Sequence, residues 1–235
     1  MNLREALDRA RRDLGARALR SLPDGLLSEA TIIPVSEDGL LDLAAGMAGK
    51  GPVLLDLVSP PVRSAGSGYV AIAPDDSYPV LDGQPVAVAA TAADAYRLCL
   101  DLARSGGGVL LVHPTAPPGP DPAATTPLGH AVEVRPGDSC TLVSWGRALD
   151  ATLAAADRLA GAGVSAKVLD ARGRPLPVET CIAALKETHR LFVTADGPWA
   201  YELVSRVLAG AFDYLDEAVL VLTPEAAIEH LLTHR

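Results

Sequence analysis

An acidic residue at the start of an apolar segment is the best candidate in this sequence for a group that does chemistry. Glu37 follows Ser36 and precedes Asp38 and Gly39, after which residues 40–48 are almost all small or apolar. Such a run predicts a helix, and a carboxylate at its start commonly caps it, because the first backbone N–H groups have no partners within the helix. The residues alone therefore leave two interpretations of Glu37 open, a capping residue and a chemically active carboxyl group.

Other residue types that often do chemistry are present, but without an informative spacing. Cys99, Cys140 and Cys181 lack the spacing of metal ligands and have apolar neighbours, which indicates buried free thiols in a reducing compartment. The five histidines form no HxxxH or similar pair, so we expect no metal site built by this chain alone. Gly106 to Gly108 follow a predicted helix and precede a predicted strand, the reverse of a phosphate loop, and therefore indicate a helix C-cap turn.

The first half of the chain is typical of an α/β domain. Apolar residues at helical spacing predict a helix over 2–20 and a second helix over 37–49. Thr91, with Asp94 three residues later, opens a third helix that ends at about residue 104. The predicted strands are continuous apolar runs, as in a buried parallel sheet: 52–58, 69–73, 85–90 and 109–112.

A proline-rich segment separates this half from a second one. Residues 114–129 contain six prolines and predict an extended linker. Beyond it, strands are predicted at 140–145, 165–170, 191–195 and 218–222, and helices at 147–161, 178–188, 199–210 and 224–233. We therefore predict two three-layer α/β domains with mainly parallel sheets, at residues 1–113 and 130–235.

Four segments, in order along the chain, carry a resemblance to a known family. They are residues 1–7 (MNLREAL), 33–39 (IPVSEDG), 140–147 (CTLVSWGR) with 168–177 (VLDARGRPLP), and 211–219 (AFDYLDEAV). Together they resemble the transketolase-like, thiamine-diphosphate enzymes, and most closely the beta subunit of 2-oxoacid dehydrogenases such as pyruvate dehydrogenase. The resemblance implies a reduced pyrimidine-binding domain followed by a transketolase C-terminal domain.

The resemblance also implies a mechanism and a set of residues. Glu37 corresponds to the family's glutamate, which protonates a nitrogen of the aminopyrimidine ring and so helps remove the proton of the thiazolium carbon. Burial of that carboxyl group would raise its pKa toward neutrality, and the small residues Ala44 to Met47 are candidates to line its pocket. Ser36 and Glu37 are the candidates for cofactor binding in this segment, and Tyr69 is a candidate substitute for an aromatic residue that the family has and this chain lacks.

The partners follow from what the sequence lacks. The family's magnesium motif, GDG followed by a distant Asn, is missing from the sequence. The resemblance thus implies an alpha-type subunit that holds magnesium and the diphosphate, self-association to a heterotetramer, and transfer of a two-carbon ketol or acyl unit. An aldose, a lipoyl group or an acyl-carrier protein is the implied acceptor. The alternative is a non-catalytic scaffold that dimerises and stabilises the alpha-type partner.

Several departures from the family pattern favour that alternative. Residues 58–68 hold no aromatic side chain where the family has one that stacks on the aminopyrimidine, which leaves Tyr69 or Tyr78 as substitutes. His113 is interpreted as a hydrogen-bonded structural residue rather than a catalytic one.

Two residues of the second half are further candidates. Arg172 follows a predicted strand and is interpreted either as an anion contact or as an ion-pair residue. Trp199 is interpreted as a helix-start or interface anchor.

Composition restricts the function further. The formal net charge is −9, which argues against a general nucleic-acid binder because phosphate neutralisation needs clustered basic residues. No run of eighteen apolar residues is present, so no membrane partner is expected. These features and the free cysteines predict a cytoplasmic protein.

Overall fold

The computed structural model describes residues 1–20, 24–28, 30–33, 36–58, 60–61, 68–75, 81, 84–119 and 126–234, without the side chains of Glu37, Asp38 and Ala48. The chain divides into two compact units, Met1–Thr125 and Thr126–Arg235. Tyr78, a predicted stacking residue, lies outside the described residues.

The N-terminal unit is built on a parallel sheet with the strand order β5-β6-β4-β3-β1-β2. Within this unit, the two-residue strand β2 lies at one edge of the sheet and the four-residue strand β5 lies at the other. Its strands are β1 (Arg17–Arg20), β2 (Thr31–Ile32), β3 (Val53–Asp56), β4 (Tyr69–Pro74), β5 (Val86–Ala89) and β6 (Gly108–Val112). The central strands are buried on both faces, which explains their continuous apolar sequences.

The described helices of this unit are α1 (Leu3–Leu14), α2 (Glu37–Met47) and α3 (Ala92–Arg104). α2 packs against β3, α3 packs against β4, β5 and β6, and α1 packs against α3. A 3-10 turn (Ala48–Lys50) follows α2. The predicted capping box of α3 is confirmed: the Thr91 hydroxyl accepts from the backbone N–H of Asp94, and the Asp94 carboxylate accepts from the N–H of Thr91. A second capping box, Asn2 with Glu5, opens α1.

The predicted helix over 2–20 is wrong at its C-terminal end. Gly15 adopts a left-handed conformation with φ 60° and ends α1, and Arg17–Arg20 form strand β1 inside the sheet. Helical spacing of apolar residues extends to Leu14 only, so the four residues of β1 were assigned to the helix by continuity. β2, a two-residue edge strand, was not predicted because it is too short to show a pattern.

The glycine turn after α3 packs against a backbone, as a C-cap turn does. A Cβ atom on Gly107 would lie 2.4 Å from the Tyr69 carbonyl oxygen, whereas one on Gly106 would meet nothing within 4 Å. Both glycines have positive φ, 98° for Gly106 and 103° for Gly107. The prediction of a C-cap turn is confirmed, since α3 ends at Arg104 and β6 begins at Gly108.

Alanine substitutions at Gly106 and Gly107 distinguish the energetic cost of backbone strain from the cost of steric overlap. We expect Gly106→Ala to destabilise the protein by about 1–3 kcal/mol through its positive φ alone. Gly107→Ala carries the same strain and forces a side chain onto the backbone of β4, so it is expected to cost about 1–3 kcal/mol more. Urea unfolding of the two variants measures the difference, and equal midpoints would contradict the predicted overlap.

The C-terminal unit has a five-stranded sheet with the order β12-β11-β8-β9-β7, in which β7 alone is antiparallel to its neighbour. The strands are β7 (Val132–Arg135), β8 (Cys140–Ser144), β9 (Ala166–Asp170), β11 (Leu191–Val193) and β12 (Leu220–Val221), and β10 (Gly173–Arg174) is a two-residue strand. The helices are α4 (Ala148–Gly161), α5 (Val178–Thr188), α6 (Pro198–Ala211) and α7 (Pro224–Thr233), with a 3-10 turn at Phe212–Tyr214. The predicted fold class, two α/β units with mainly parallel sheets, is confirmed.

A cluster of charged side chains ties the last helix to the body of the C-terminal unit. The Glu217 carboxylate accepts a hydrogen bond from Arg190 Nε and lies 2.6 Å from His230 Nε2. The Arg190 guanidinium also donates to the carbonyl oxygen of His234, at 3.0 Å. Burial raises the pKa of Glu217, but its hydrogen bonds to Arg190 and His230 outweigh burial and hold the pKa below its usual 4.5.

This lowered pKa predicts a loss of stability in acid. A carboxyl group with a folded-state pKa below its unfolded value stabilises the fold above the unfolded pKa, and that contribution disappears as pH falls through the folded value. We therefore expect the urea midpoint of the wild-type protein to fall below about pH 4.5, and to fall less steeply in Glu217→Gln. Parallel pH profiles for the two proteins would contradict this prediction.

Candidate functional site

The first turn of α2 has its own cap, and that cap is Ser36. The Ser36 hydroxyl accepts a hydrogen bond from the backbone N–H of Gly39 at 3.2 Å, and its carbonyl oxygen accepts from the N–H of Leu40 at 2.9 Å. Ser36 thus has the pattern of an N-cap residue, which leaves Glu37 as the first residue of the helix. The capping interpretation of Glu37 loses its main support, because a serine already satisfies this helix start.

Glu37 begins a helix at the edge of the sheet where binding crevices form. α2 follows β2, and the described strands β1 to β6 pair in parallel, so the start of α2 lies at the carboxyl end of the sheet. Open α/β sheets bind ligands outside the carboxyl ends of their strands. The N-terminus of a helix also favours an anionic or hydrogen-bonding group. The backbone of Glu37 therefore lies at this edge of the sheet, and its side chain lies outside the described part of the structure.

The predicted lining of a Glu37 pocket by Ala44 to Met47 stays a prediction, because the Glu37 side chain lies outside the described part of the structure. Leu40, Leu41 and Ala44 are buried, which shows that the apolar face of α2 packs into the unit. Ala44 to Met47 begin seven residues after Glu37, or about 10 Å along a helix at 1.5 Å per residue. These residues form the second half of α2, in which Gly46 is exposed.

Tyr69 is not brought to the same edge as Ser36 and Glu37. It is the first residue of β4 and pairs with Val53, the first residue of β3, so it lies at the amino end of the parallel sheet. Its side chain is 2% exposed. The assignment of Tyr69 to cofactor binding followed from its being the aromatic residue nearest in sequence to the altered segment 58–68, and the strand direction places it at the opposite edge.

One group that sequence reasoning missed is a buried carboxylate at the carboxyl end of β3. Asp56 is 4% exposed and accepts backbone N–H bonds from Leu26 at 3.1 Å and Leu27 at 2.8 Å. Burial raises its pKa, and the two backbone hydrogen bonds and the nearby arginines Arg20 and Arg4 oppose that shift. An aspartate that ends an otherwise apolar strand was a visible signal of such a group.

Other residues singled out in the sequence have structural roles. His113 Nδ1 lies 2.8 Å from the Thr115 hydroxyl, as expected for a hydrogen-bonded structural histidine. Arg172 is 4% exposed, and its guanidinium donates to the Thr126 carbonyl at 2.7 Å. Trp199 is fully buried near the start of α6 and packs on Trp145, so the prediction of a helix-start anchor is confirmed.

The cysteines are buried and free, as predicted, and burial raises the pKa of each thiol to about 12. Among the described residues, no group of three or more His, Cys, Asp or Glu side chains could hold a metal ion. The helices within those residues are all too short or too polar to cross a membrane.

The comparisons with known proteins centre on the second unit. Residues 129–234 match the family described as the transketolase C-terminal domain. The chain is similar to beta subunits of the pyruvate dehydrogenase E1 component: it is 36% identical to the mitochondrial beta subunit of Dictyostelium discoideum over 99 residues and 35% identical to the beta subunit of Rhizobium meliloti over 101 residues. The recognition of a transketolase-like beta subunit from the sequence is thereby confirmed.

These sequence matches cover part of each protein. They include 40% and 41% of this chain, and only 28% and 22% of the two relatives, so the chain spans about a quarter of their length. Solved structures extend the fold likeness to the whole chain. A split-gene transketolase, solved as an inactive beta4 tetramer, superposes with a TM-score of 0.80 at 18% identity and covers 99% of this chain and 98% of its own. Transketolase from Campylobacter jejuni gives a TM-score of 0.66 at 10% identity, over 99% of this chain and 46% of its own.

Proposed function

We propose that this chain is the beta-type subunit of a split thiamine-diphosphate enzyme that transfers a two-carbon ketol or acyl unit. The observation that carries the proposal is the start of α2, where Ser36 caps the helix and Glu37 stands as its first residue at the carboxyl edge of a parallel sheet. A carboxyl group there is not needed to cap the helix. The relationship to pyruvate dehydrogenase beta subunits and the transketolase-like fold support the cofactor class.

By residue type and backbone position, Ser36 and Glu37 suit the aminopyrimidine end of thiamine diphosphate. When bound, the cofactor supplies an electron sink for cleaving the bond next to a carbonyl group. In the proposed site, Glu37 holds a proton on its carboxyl group and shares it with a ring nitrogen, and Ser36 fixes the first turn of the helix that carries Glu37.

The proposal includes a partner and an assembly. An alpha-type subunit would hold magnesium and the diphosphate, and two copies of each chain would form a heterotetramer. We place this assembly in the cytoplasm, which the three buried free thiols support. An aldose, a lipoyl group or an acyl-carrier protein would accept the transferred unit.

Reconstitution tests this function. The chain would be co-expressed with an alpha-type subunit, purified as a complex, and assayed for cofactor-dependent consumption of ketose phosphates and 2-oxo acids. We expect turnover only with both subunits, thiamine diphosphate and magnesium present. A stable complex with no turnover of either substrate class would contradict the proposed activity.

A second candidate function has one observation in its favour. Tyr69 lies at the opposite edge of the sheet from Glu37, so it does not replace the stacking aromatic residue that segment 58–68 lacks. This departure favours a non-catalytic subunit that stabilises its partner. Such a scaffold would bind the alpha-type subunit equally well with and without Glu37, and would leave the partner's cofactor unaffected.

A further inference from the structure

The carboxyl ends of three neighbouring strands in the N-terminal unit form a continuous row. Asp56, the last residue of β3, is paired in register with Arg20, the last residue of β1, and Arg20 is paired with Ile32, the last residue of β2. The row continues into the chain beyond β2, because the N–H of Ile33 donates to the carbonyl oxygen of Arg20 at 2.8 Å. Neighbouring strands lie about 4.8 Å apart, so Asp56 is about 10 Å from Ile32 across the sheet.

Residues 24–28, between β1 and β2, lie directly on this row. The Asp56 carboxylate accepts from the N–H groups of Leu26 and Leu27, one on each oxygen. The Arg20 guanidinium donates to the carbonyl oxygen of Leu27 at 3.2 Å. Gly25 sits so close to the carboxylate that a Cβ atom there would lie 2.2 Å from Asp56 Oδ2.

Helix α1 holds the two ends of the same segment. The Arg4 guanidinium donates to the Gly25 carbonyl oxygen at 3.1 Å, and the Asp8 carboxylate accepts from the Ser28 N–H at 3.1 Å. Both ends of residues 24–28 are thus fixed to the unit by charged side chains. The polypeptide then enters β2, whose two residues pair with β1 alone among the described strands, and reaches Ser36 four residues after Ile32.

We propose that Asp56 is a positioning residue for Glu37. Together with Arg20, Asp56 holds Leu26 and Leu27 over the end of β3. It thereby fixes how the chain enters the two-residue strand β2 and reaches Ser36, the N-cap of α2. A two-residue strand has little pairing of its own, so its register depends on how the preceding segment is anchored. Asp56 does not touch the reacting atoms in this account. The inference rests on the proposed function for its catalytic consequence, but its structural part does not.

Hydrogen exchange on the chain itself tests the structural part. In Asp56→Asn the amide group turns a donor toward one of the two N–H groups, so that bond is lost with almost no change in volume. We expect amide exchange to become at least about tenfold faster in residues 24–28 and also in the first turn of α2, residues 36–40. Gly25→Ala should produce the same pattern by steric means, since it displaces the segment while leaving Asp56 in place.

Asp94→Asn is the matched control, because Asp94 is another carboxylate of this unit that accepts a backbone N–H bond, in the capping box of α3. It should leave exchange in residues 24–28 and 36–40 unchanged. Faster exchange confined to residues 24–28, or spread equally to α3, would overturn the positioning role of Asp56.

The catalytic consequence is measured on the reconstituted complex. Asp56→Asn should slow proton exchange at the thiazolium carbon of bound thiamine diphosphate at least about tenfold, with a smaller change in cofactor affinity, while Asp94→Asn should leave both as in the wild type. If residues 36–40 lose protection but the wild-type complex itself shows no cofactor-dependent exchange, the positioning role stands and the proposed function fails. If the wild-type complex is active and Asp56→Asn matches it, the catalytic role of Asp56 fails alone.

Discussion

Glu37→Gln is expected to slow proton exchange at the thiazolium carbon of thiamine diphosphate, in the complex with an alpha-type subunit, by about 10²–10⁴-fold. Glutamine keeps the size and hydrogen-bonding shape of the side chain but has no acidic proton to share with the aminopyrimidine nitrogen. The substitution is at the first residue of α2, whose cap is Ser36, so the helix is expected to form in the variant. The exchange of the thiazolium carbon proton for deuterium, followed by NMR in deuterated buffer, measures the effect and requires no known substrate.

Asp38→Asn is the control for this experiment. It removes the neighbouring acidic residue from the same helix turn and changes the net charge by the same amount. The complex that carries Asp38→Asn should exchange the thiazolium proton at the wild-type rate. A similar loss in both variants would show that the charge of the helix start matters and not the Glu37 carboxyl group. Wild-type exchange in Glu37→Gln would remove Glu37 from the proposed site.

Trp199→Ala is expected to give the largest loss of stability of any single change considered, about 3–5 kcal/mol. The Trp199 side chain is fully buried at the start of α6, and its ring lies 6.2 Å from that of Trp145, which is also fully buried. Truncation removes the whole indole from the core of the C-terminal unit and leaves a cavity that the neighbouring strands cannot fill. Chemical unfolding followed by circular dichroism measures the change.

Tyr201→Ala provides the matched comparison, since Tyr201 lies two residues further along α6 and its side chain is 66% exposed. It should change the free energy of unfolding by about 0.5 kcal/mol or less. If the two variants unfolded at similar denaturant concentrations, Trp199 would not be the core anchor that its burial indicates.

The elements of this fold that were predicted from sequence are those whose patterns are long and regular. α3, α4, α6 and α7 and the apolar strands β3, β6 and β8 were predicted within a few residues, because each has a full period of apolar residues or a clear cap. The four residues of β1 were assigned to the preceding helix by continuity, although the apolar spacing ends at Leu14 and Gly15 was a sign of the break.

Three other strands, β2, β7 and the two-residue β10, were not predicted for a different reason. β2 has two residues, both exposed, and β7 is an antiparallel edge strand with no fully buried residue. Strands of this kind are fixed by their pairing partners rather than by their own side chains. The alternation of strands and helices in the C-terminal unit was nevertheless sufficient to predict a parallel sheet correctly.

The site was accessible from sequence only where a segment resembled a family. Glu37 and Ser36 were proposed in this way; Ser36 caps α2 and Glu37 is its first residue, and their role in the site stays a prediction. Tyr69 was chosen by its nearness in sequence, but proximity in sequence carries no information about which end of a strand a residue occupies. The contacts of Asp56 involve Leu26 and Leu27, about thirty residues earlier, and no local pattern links such positions.

In the proposed enzyme the cofactor site lies at the interface between the two subunits, and calorimetric titration tests this location. The chain alone, the alpha-type subunit alone and their purified complex would each be titrated with thiamine diphosphate in the presence of magnesium. The account predicts binding by the complex, no binding by either subunit alone, and weaker binding by a complex that carries Glu37→Gln. Equal binding by the wild-type complex and the Glu37→Gln complex, or tight binding by the alpha-type subunit alone, would contradict it.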